Sequence, residues 1–208
     1  MGIARVLGAL LVMASTAHAD AKIDWARGLV IADGVGVADR HAPSPAIARS
    51  TARRGADDAA KRAIAIALRA IPLAAGGTLG ERAKDAAIAA RIDAAVAHAM
   101  TLAADPDTDG AWRVTLGVPL EALRQAIDGP RAFTGGDVAP AVVVVEASAP
   151  PALGYRVGTT GVAIAWRADA NPDLATAPRT TATVAHGTLA LAKPLGNAAT
   201  LYVIVPGR

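Results

Sequence analysis

The sequence motif with the clearest chemical meaning is a short run of aspartates, Asp105-Pro-Asp-Thr-Asp-Gly110. The pattern Asp-x-Asp-x-Asp-Gly opens a calcium-binding loop, so Asp105, Asp107 and Asp109 are the candidate metal ligands of this chain. That loop also needs a bidentate glutamate at its last position, where this sequence has Leu116. Aspartate and glycine are also typical of hairpin turns, so we favour a turn and leave a weak divalent contact open.

The other residues that could do chemistry are few and scattered. The histidines lack the spacing of a helical zinc site, and no nucleophile elbow or Gly-rich phosphate loop with lysine occurs. The glutamates that follow the first nineteen residues, Glu81, Glu121 and Glu146, are far apart in sequence. We therefore predict no catalytic residue and no cofactor, although a cleft that brought together Glu146, His186 and an aspartate would support a hydrolase.

The first nineteen residues have the features of a secretory signal peptide. Arg5 gives a positive start, a short apolar run follows, and Ala17 and Ala19 form a small-x-small cleavage site before Asp20. The apolar run is about half of the ~20 residues that a membrane-spanning helix needs. We therefore expect residues 1–19 to be removed and the mature chain to be periplasmic or secreted, with association to an outer membrane left open.

Composition excludes several protein classes. The chain has no cysteine, which excludes a disulfide scaffold and a cysteine-ligated metal. Loss of residues 1–19 removes Arg5 and no acidic residue, so the formal net charge falls from +3 to +2 and does not predict nucleic-acid binding. Alanine accounts for 54 residues and buries little area, so the core should be thin and protein partners or self-association would support it.

The elements that position these residues begin with a strand predicted over 23–38. Ser44 and Pro45 then form a helix start, and the helix should run to about Ile71. The segment Thr78 to Glu81 matches a capping box and begins a second helix that should end near Ala99.

Both helices repeat alanine at intervals of three or four residues, which predicts faces of small side chains that can lie close to a sheet. The predicted face of the first helix comprises Ala48, Ala52, Ala56, Ala59, Ala63, Ile66 and Ala70. The predicted face of the second comprises Ala83, Ala87, Ala90, Ala94 and Ala97, backed by Ile88, Ile92 and Val96.

The rest of the chain is mostly strand by pattern. Two strands at 100–104 and 111–118 flank the aspartate turn, and a short helix follows over 120–127. Residues 131–139 have the composition of a linker. Beyond it we predict strands over 141–147, 153–157, 162–166, 184–192 and 198–205, the last two joined by a hairpin turn. The predicted organisation is a signal peptide at 1–19, an α+β domain at 20–130, a linker at 131–139 and a β-rich region at 140–208.

Three segments of the first domain form a recognisable layout. They are the Gly-x-Gly end of the strand at 29–36, the Ala-rich helix that begins Ser44-Pro-Ala-Ile-Ala-Arg, and Val114-Thr-Leu-Gly-Val-Pro-Leu120. This layout, over roughly residues 24–123, resembles the LPP-twenty type of bacterial surface lipoprotein and the N-terminal domain of flagellar assembly protein T. The resemblance implies an envelope protein of structural or assembly type without catalytic residues. This chain lacks the lipobox cysteine, so it would be a non-lipidated relative.

These observations together predict an α+β fold in which two Ala-rich helices pack on a small antiparallel sheet and a β-rich C-terminal extension follows. We expect an exported, non-enzymatic protein of the cell envelope or surface that docks on protein partners through sheet edges or its C-terminal strands. The alternative is an exported divalent-ion-binding module or hydrolase that uses Asp105, Asp107 and Asp109. The identity of the partner, a flagellar role and self-association stay open.

Overall fold

A computed structural model describes residues 20–129, 142–158, 164–166, 174–196 and 200–206. The predicted signal peptide, with Ala17 and Ala19, and the predicted linker at 131–139 lie outside the described residues. Within them the chain forms four helices and two sheets, which confirms the α+β class and the β-rich C-terminal part.

The first sheet is antiparallel and has the strand order β1-β2-β4-β3. Its strands are β1 (Ala21–Asp24), β2 (Leu29–Gly36), β3 (Met100–Pro106) and β4 (Trp112–Pro119). The predicted hairpin around the aspartates is confirmed by the pairing of β3 with β4.

The single strand predicted over 23–38 is wrong, because β1 and β2 are two strands that pair antiparallel. The chain reverses between them in a turn stabilised by its own residues. The Asp24 carboxylate accepts the backbone N–H of Arg27 at 3.0 Å, and Gly28 adopts a φ of +67°, which few other residues tolerate.

The helix α1 (Pro45–Leu68) crosses one face of this sheet. It begins as predicted, because the Ser44 hydroxyl accepts the backbone N–H of Ile47 at 3.3 Å. Two glycines of β2 let the helix backbone lie directly on the strand. A Cβ atom added at Gly36 would lie 2.6 Å from the Ala56 nitrogen, and one added at Gly34 would lie 2.6 Å from the Ala60 nitrogen.

The buried face of α1 differs from the predicted one in its second half. The buried residues follow steps of four, which is one of the ridge directions of a helix surface. They are Ala52, Ala56, Ala60, Ile64 and Leu68, with Ala63 beside them. Ala59 is therefore only partly buried, and Ile66 is 71% exposed. The prediction was wrong because it placed the next buried residue three positions after Ala56, at Ala59, whereas the buried residue lies four positions after it, at Ala60.

The second predicted helix is two helices, α2 (Leu79–Arg82) and α3 (Ala86–Ala97). The predicted capping box is present at α2, where the Glu81 carboxylate accepts the Thr78 N–H at 2.8 Å. Asp85 then begins α3, because its carboxylate accepts the N–H groups of Ala87 and Ile88.

The predicted alanine face of α3 is wrong. Its buried residues are Ile88, Ile92 and Val96, whereas Ala87, Ala90, Ala94 and Ala97 are exposed. The larger side chains bury more apolar area per residue, so they determine which face turns inward. The next helix, α4 (Leu120–Asp128), forms as predicted and is followed by Gly129 with a φ of +83°.

The second sheet has the order β6-β9-β8-β5-β10-β7. Its strands are β5 (Val142–Ala147), β6 (Arg156–Val157), β7 (Ile164–Trp166), β8 (Arg179–Ala185), β9 (Thr188–Leu191) and β10 (Leu201–Pro206). β10 runs parallel to both β5 and β7. Val143, Val144 and Val145 of β5 are fully buried and contribute to cores on both faces of the sheet, as expected for a central strand with parallel pairing.

The strand predicted over 184–192 is divided by a tight turn. β8 and β9 form an antiparallel hairpin with His186 and Gly187 at its tip, and the φ angles of these two residues are +48° and +75°. Positive φ at both central residues is the geometry of a two-residue type I′ hairpin. The hairpin predicted between 184–192 and 198–205 is also wrong, because β10 pairs with β5 and β7.

The two halves of the described chain touch through a loop at residues 72–77, here called the junction loop. The Ala74 N–H donates to the Leu153 carbonyl at 2.8 Å, and the Leu153 N–H donates to the Pro72 carbonyl at 3.0 Å. The Leu153 side chain lies in the core of the first half, whereas Ala74 packs against the core of the second. The junction loop therefore joins both cores.

The contact between α1 and β2 predicts opposite effects for two glycine substitutions. Gly36→Ala should lower the free energy of unfolding by about 1–3 kcal/mol or more, because its methyl group has no room against the α1 backbone.

Gly55→Ala is the matched control. Gly55 lies inside α1, and its added Cβ would meet only the Gly36 Cα at 3.8 Å. This variant should gain about 0.5–1 kcal/mol. Urea unfolding of both variants measures the difference, and equal stabilities would contradict this packing.

Candidate functional site

Two carboxylates of the aspartate turn accept hydrogen bonds from the backbone of the turn itself. Asp105 lies in β3, Asp107 accepts the N–H of Thr108 at 2.7 Å, and Asp109 accepts the N–H of Ala111 at 2.9 Å. Gly110 completes the turn with a φ of +84°. In the part of the chain that the structure describes, no three acidic or histidine side chains form a group able to hold a metal. The structure therefore does not assemble the three candidate aspartates into a ligand set.

The residues of the hydrolase alternative are only partly brought together. His186 and Asp128 line the same cleft, but Glu146 lies elsewhere and accepts a hydrogen bond from Arg179 Nη1 at 3.1 Å. Asp128 in turn accepts from Arg156 Nη2 at 3.1 Å. Among the described residues, no hydrogen bond joins His186 to a carboxylate, and the two candidate carboxylates of this alternative are paired with arginines.

Two buried tyrosines serve the second core. The Tyr155 hydroxyl donates to the Pro150 carbonyl at 2.7 Å, and the Tyr202 hydroxyl donates to the Leu195 carbonyl at 2.7 Å. Burial raises the pKa of both phenols above 10.0, because desolvation disfavours the charged form. Both hydroxyls are therefore neutral hydrogen-bond donors, and they hold the loops of Pro150 and Leu195 against the second core.

The face of the first sheet opposite α1, here called the open face, is partly exposed, since Lys22, Asp33 and Arg113 are exposed whereas Ile31 and Gly117 are buried. Strand alternation and register place on it Lys22, Asp24, Leu29, Ile31, Asp33, Val35, Met100, Ala103, Asp105, Arg113, Thr115 and Gly117. The Thr115 hydroxyl donates to the Asp33 carboxylate at 2.5 Å across β2 and β4. The open face therefore combines apolar side chains with cross-strand polar pairs.

β3 borders the open face and is an edge strand of the sheet. Six of its seven residues are exposed, and two of them are large and apolar, Met100 at 44% and Leu102 at 43% exposure. A bulge between Thr101 and Ala103 turns Leu102 toward β4, where its Cδ1 lies 3.0 Å from the position a Cβ of Gly117 would take. The opposite edge, β1, has only four residues. β3 is thus the longer and more apolar edge.

A cleft of about 390 Å³ lies where the two halves meet. Its charged or basic lining residues are Arg82 of α2, Asp128 of α4, Arg156 of β6 and His186 of the β8–β9 turn. The junction loop, Leu153 and Gly187 complete its walls. No local pattern in the sequence predicts this cleft, because its lining comes from five separate parts of the chain.

Comparison with known proteins adds no family to these observations. No protein-family model matches the chain, and no curated protein matches it. The resemblance to the LPP-twenty and flagellar assembly proteins therefore stays a prediction. None of the helices in the described ranges combines the length and the apolar character needed to cross a bilayer.

Proposed function

We propose that the protein is exported and acts without catalysis, as an interaction protein of the cell envelope or surface that pairs β3 with an extended segment of a partner protein. The single observation that carries this proposal is the exposed edge strand β3 with its two large apolar side chains. An edge strand has backbone N–H and C=O groups without a sheet partner on its outer side, and such groups template the addition of another strand.

β3 has only some of the features that protect an edge, namely a bulge at Leu102, the charge of Asp105 and a terminal proline. The strand contains no lysine, it is seven residues long, and its proline lies at the end, at Pro106. Its bulge at Leu102 turns an apolar side chain over the open face. A partner strand beside β3 would therefore gain backbone hydrogen bonds along the edge and apolar contact with Met100 and Leu102.

The open face supports the same function. Its ionic side chains of both signs include Asp105 and Arg113, which lie directly opposite each other on β3 and β4. Surfaces that mix apolar contacts with charges of both signs can select a partner through electrostatic complementarity as well as burial. The partner expected from this pattern is a protein segment with alternating apolar and charged residues.

Export is supported by the sequence of residues 1–19, and the envelope role by the resemblance over residues 24–123. The resemblance implies an assembly protein, and such a protein needs a docking edge and no reactive group. The described residues do not bring Glu146 to His186 and Asp128, so the hydrolase alternative has no favouring observation.

The export proposal predicts the first residue of the protein in the cell. A C-terminally tagged chain produced from the full sequence should be recovered from the envelope or the medium with Asp20 as its first residue, since cleavage is expected after Ala19. Intact mass spectrometry of the purified protein measures this. Recovery of the uncleaved chain from the cytosol would contradict it.

The docking proposal predicts a position-specific loss of binding. Leu102→Lys should weaken capture of the partner from envelope fractions by about tenfold or more, because it places a charge in the apolar contact. Ile66→Lys is the matched control, since Ile66 is also exposed but lies on α1. It should leave capture unchanged. The captured protein, identified by mass spectrometry, is compared between the tagged variants at equal protein concentration.

Three results would overturn the docking proposal. Equal loss in both variants would show a nonspecific effect of charge, and unchanged capture by Leu102→Lys would exclude the β3 edge. Light scattering that shows a dimer of the purified protein, lost in Leu102→Lys, would identify the occupant as a second copy of this chain and not a separate partner.

A further inference from the structure

We propose that the cleft between the two halves binds a small oxyanion, a phosphate or carboxylate group, through Arg82, Arg156 and His186. This inference is independent of the β3 edge, because the cleft shares no residue with the open face. It rests on the charge of the lining, the fixed geometry of the walls and the size of the cavity.

The lining has an excess of cationic groups. Arg156 is already paired with Asp128, the one carboxylate among the lining residues. Arg82 makes no side-chain hydrogen bond or ion pair with any described residue, and it faces the same cavity. A guanidinium presents a fork of N–H donors that matches the two oxygens of a carboxylate or phosphate. Among the described residues that line the cleft, Arg82 is therefore the charge without an ion-pair partner.

The wall that presents His186 is fixed in place. Gly187 is pressed onto the junction loop so closely that a Cβ atom there would lie 2.6 Å from the Ala74 carbonyl carbon. The Arg156 N–H also donates to the Gly187 carbonyl at 2.9 Å. The same backbone segment thus holds the positions of both His186 and Arg156 at the cleft.

His186 has a positive φ, a conformation in which histidine is enriched among non-glycine residues, as asparagine and aspartate are. Type I′ turns favour asparagine, aspartate or glycine at the first central position, where φ is positive. Histidine occupies that position here, with a φ of +48°. The turn therefore accommodates histidine, and an imidazole at the turn tip can donate a hydrogen bond to an oxyanion in the cleft.

The size of the cavity points to a small ligand. A volume of about 390 Å³ is near the lower end of the range for small-molecule sites, roughly 300–1,000 Å³, and such sites occur preferentially at boundaries between structural units. At such a boundary Arg82, together with Arg156 beside its partner Asp128, would hold one anionic group. The remainder of the ligand would lie along Leu73 and Leu153.

The test is a titration of the full chain with inorganic phosphate and, separately, with sodium acetate, at constant ionic strength in chloride. Calorimetry or chemical shifts of the histidine ring should show saturable binding with at least one of the two anions. Arg82→Gln should weaken it by about tenfold, and Arg82→Lys, which keeps the charge but loses the fork, should weaken it less. The stronger of the two anions identifies the group that the cleft prefers.

Two further variants keep the result interpretable. Arg62→Gln removes the same charge from an exposed position on α1 and should leave binding unchanged. His186→Asn preserves the turn and should weaken binding, since asparagine accepts a positive φ but its shorter side chain lacks the imidazole N–H. The absence of saturable binding by both anions, or an equal effect of Arg62→Gln and Arg82→Gln, would overturn the proposal. Neither result would affect the docking proposal.

Discussion

The close contact between α1 and β2 is the constraint on which the first half of the molecule depends. Gly34 and Gly36 provide no Cβ, and Ala52, Ala56 and Ala60 provide no more than a methyl group, so two backbones meet directly. Once the helix lies on that face, strand alternation assigns every other residue of the sheet to a side. The open face is a consequence of this assignment, whereas the edge β3 follows from the strand order.

A contact made of glycine and alanine buries little apolar area. Larger apolar side chains beyond the C-terminal end of this contact bury the additional area that stabilises the first half. Leucine and isoleucine side chains at the C-terminal end of α1 join the apolar residues of β4 and α3 in one core. Leu153, which comes from the C-terminal half, also belongs to that core. The junction loop therefore contributes both to packing and to the cleft, since the same backbone that joins the cores forms a wall of the cavity.

Local signals in the sequence were sufficient for the elements whose ends carry their own hydrogen bonds. Ser44, the capping box at Thr78 and the aspartate turn each predicted a boundary that the structure confirms. Most of the failures depend on tertiary packing. Which face of α3 turns inward and the parallel pairing of β10 with β5 and β7 are decided by contacts distant in sequence. The cleft could not be predicted for the same reason. The division of the 23–38 segment is instead local, at the turn of Asp24 and Gly28.

The claim that β3 is the docking edge can be tested most directly inside the cell. A photo-crosslinking amino acid is placed in the full chain at Met100, on the edge, and in a second variant at Ile66, on the outer side of α1. Our account predicts that illumination of intact cells produces one discrete adduct with an envelope protein from position 100 and none from position 66. The same adducts from both positions, adducts with cytosolic proteins only, or none from position 100 would contradict it.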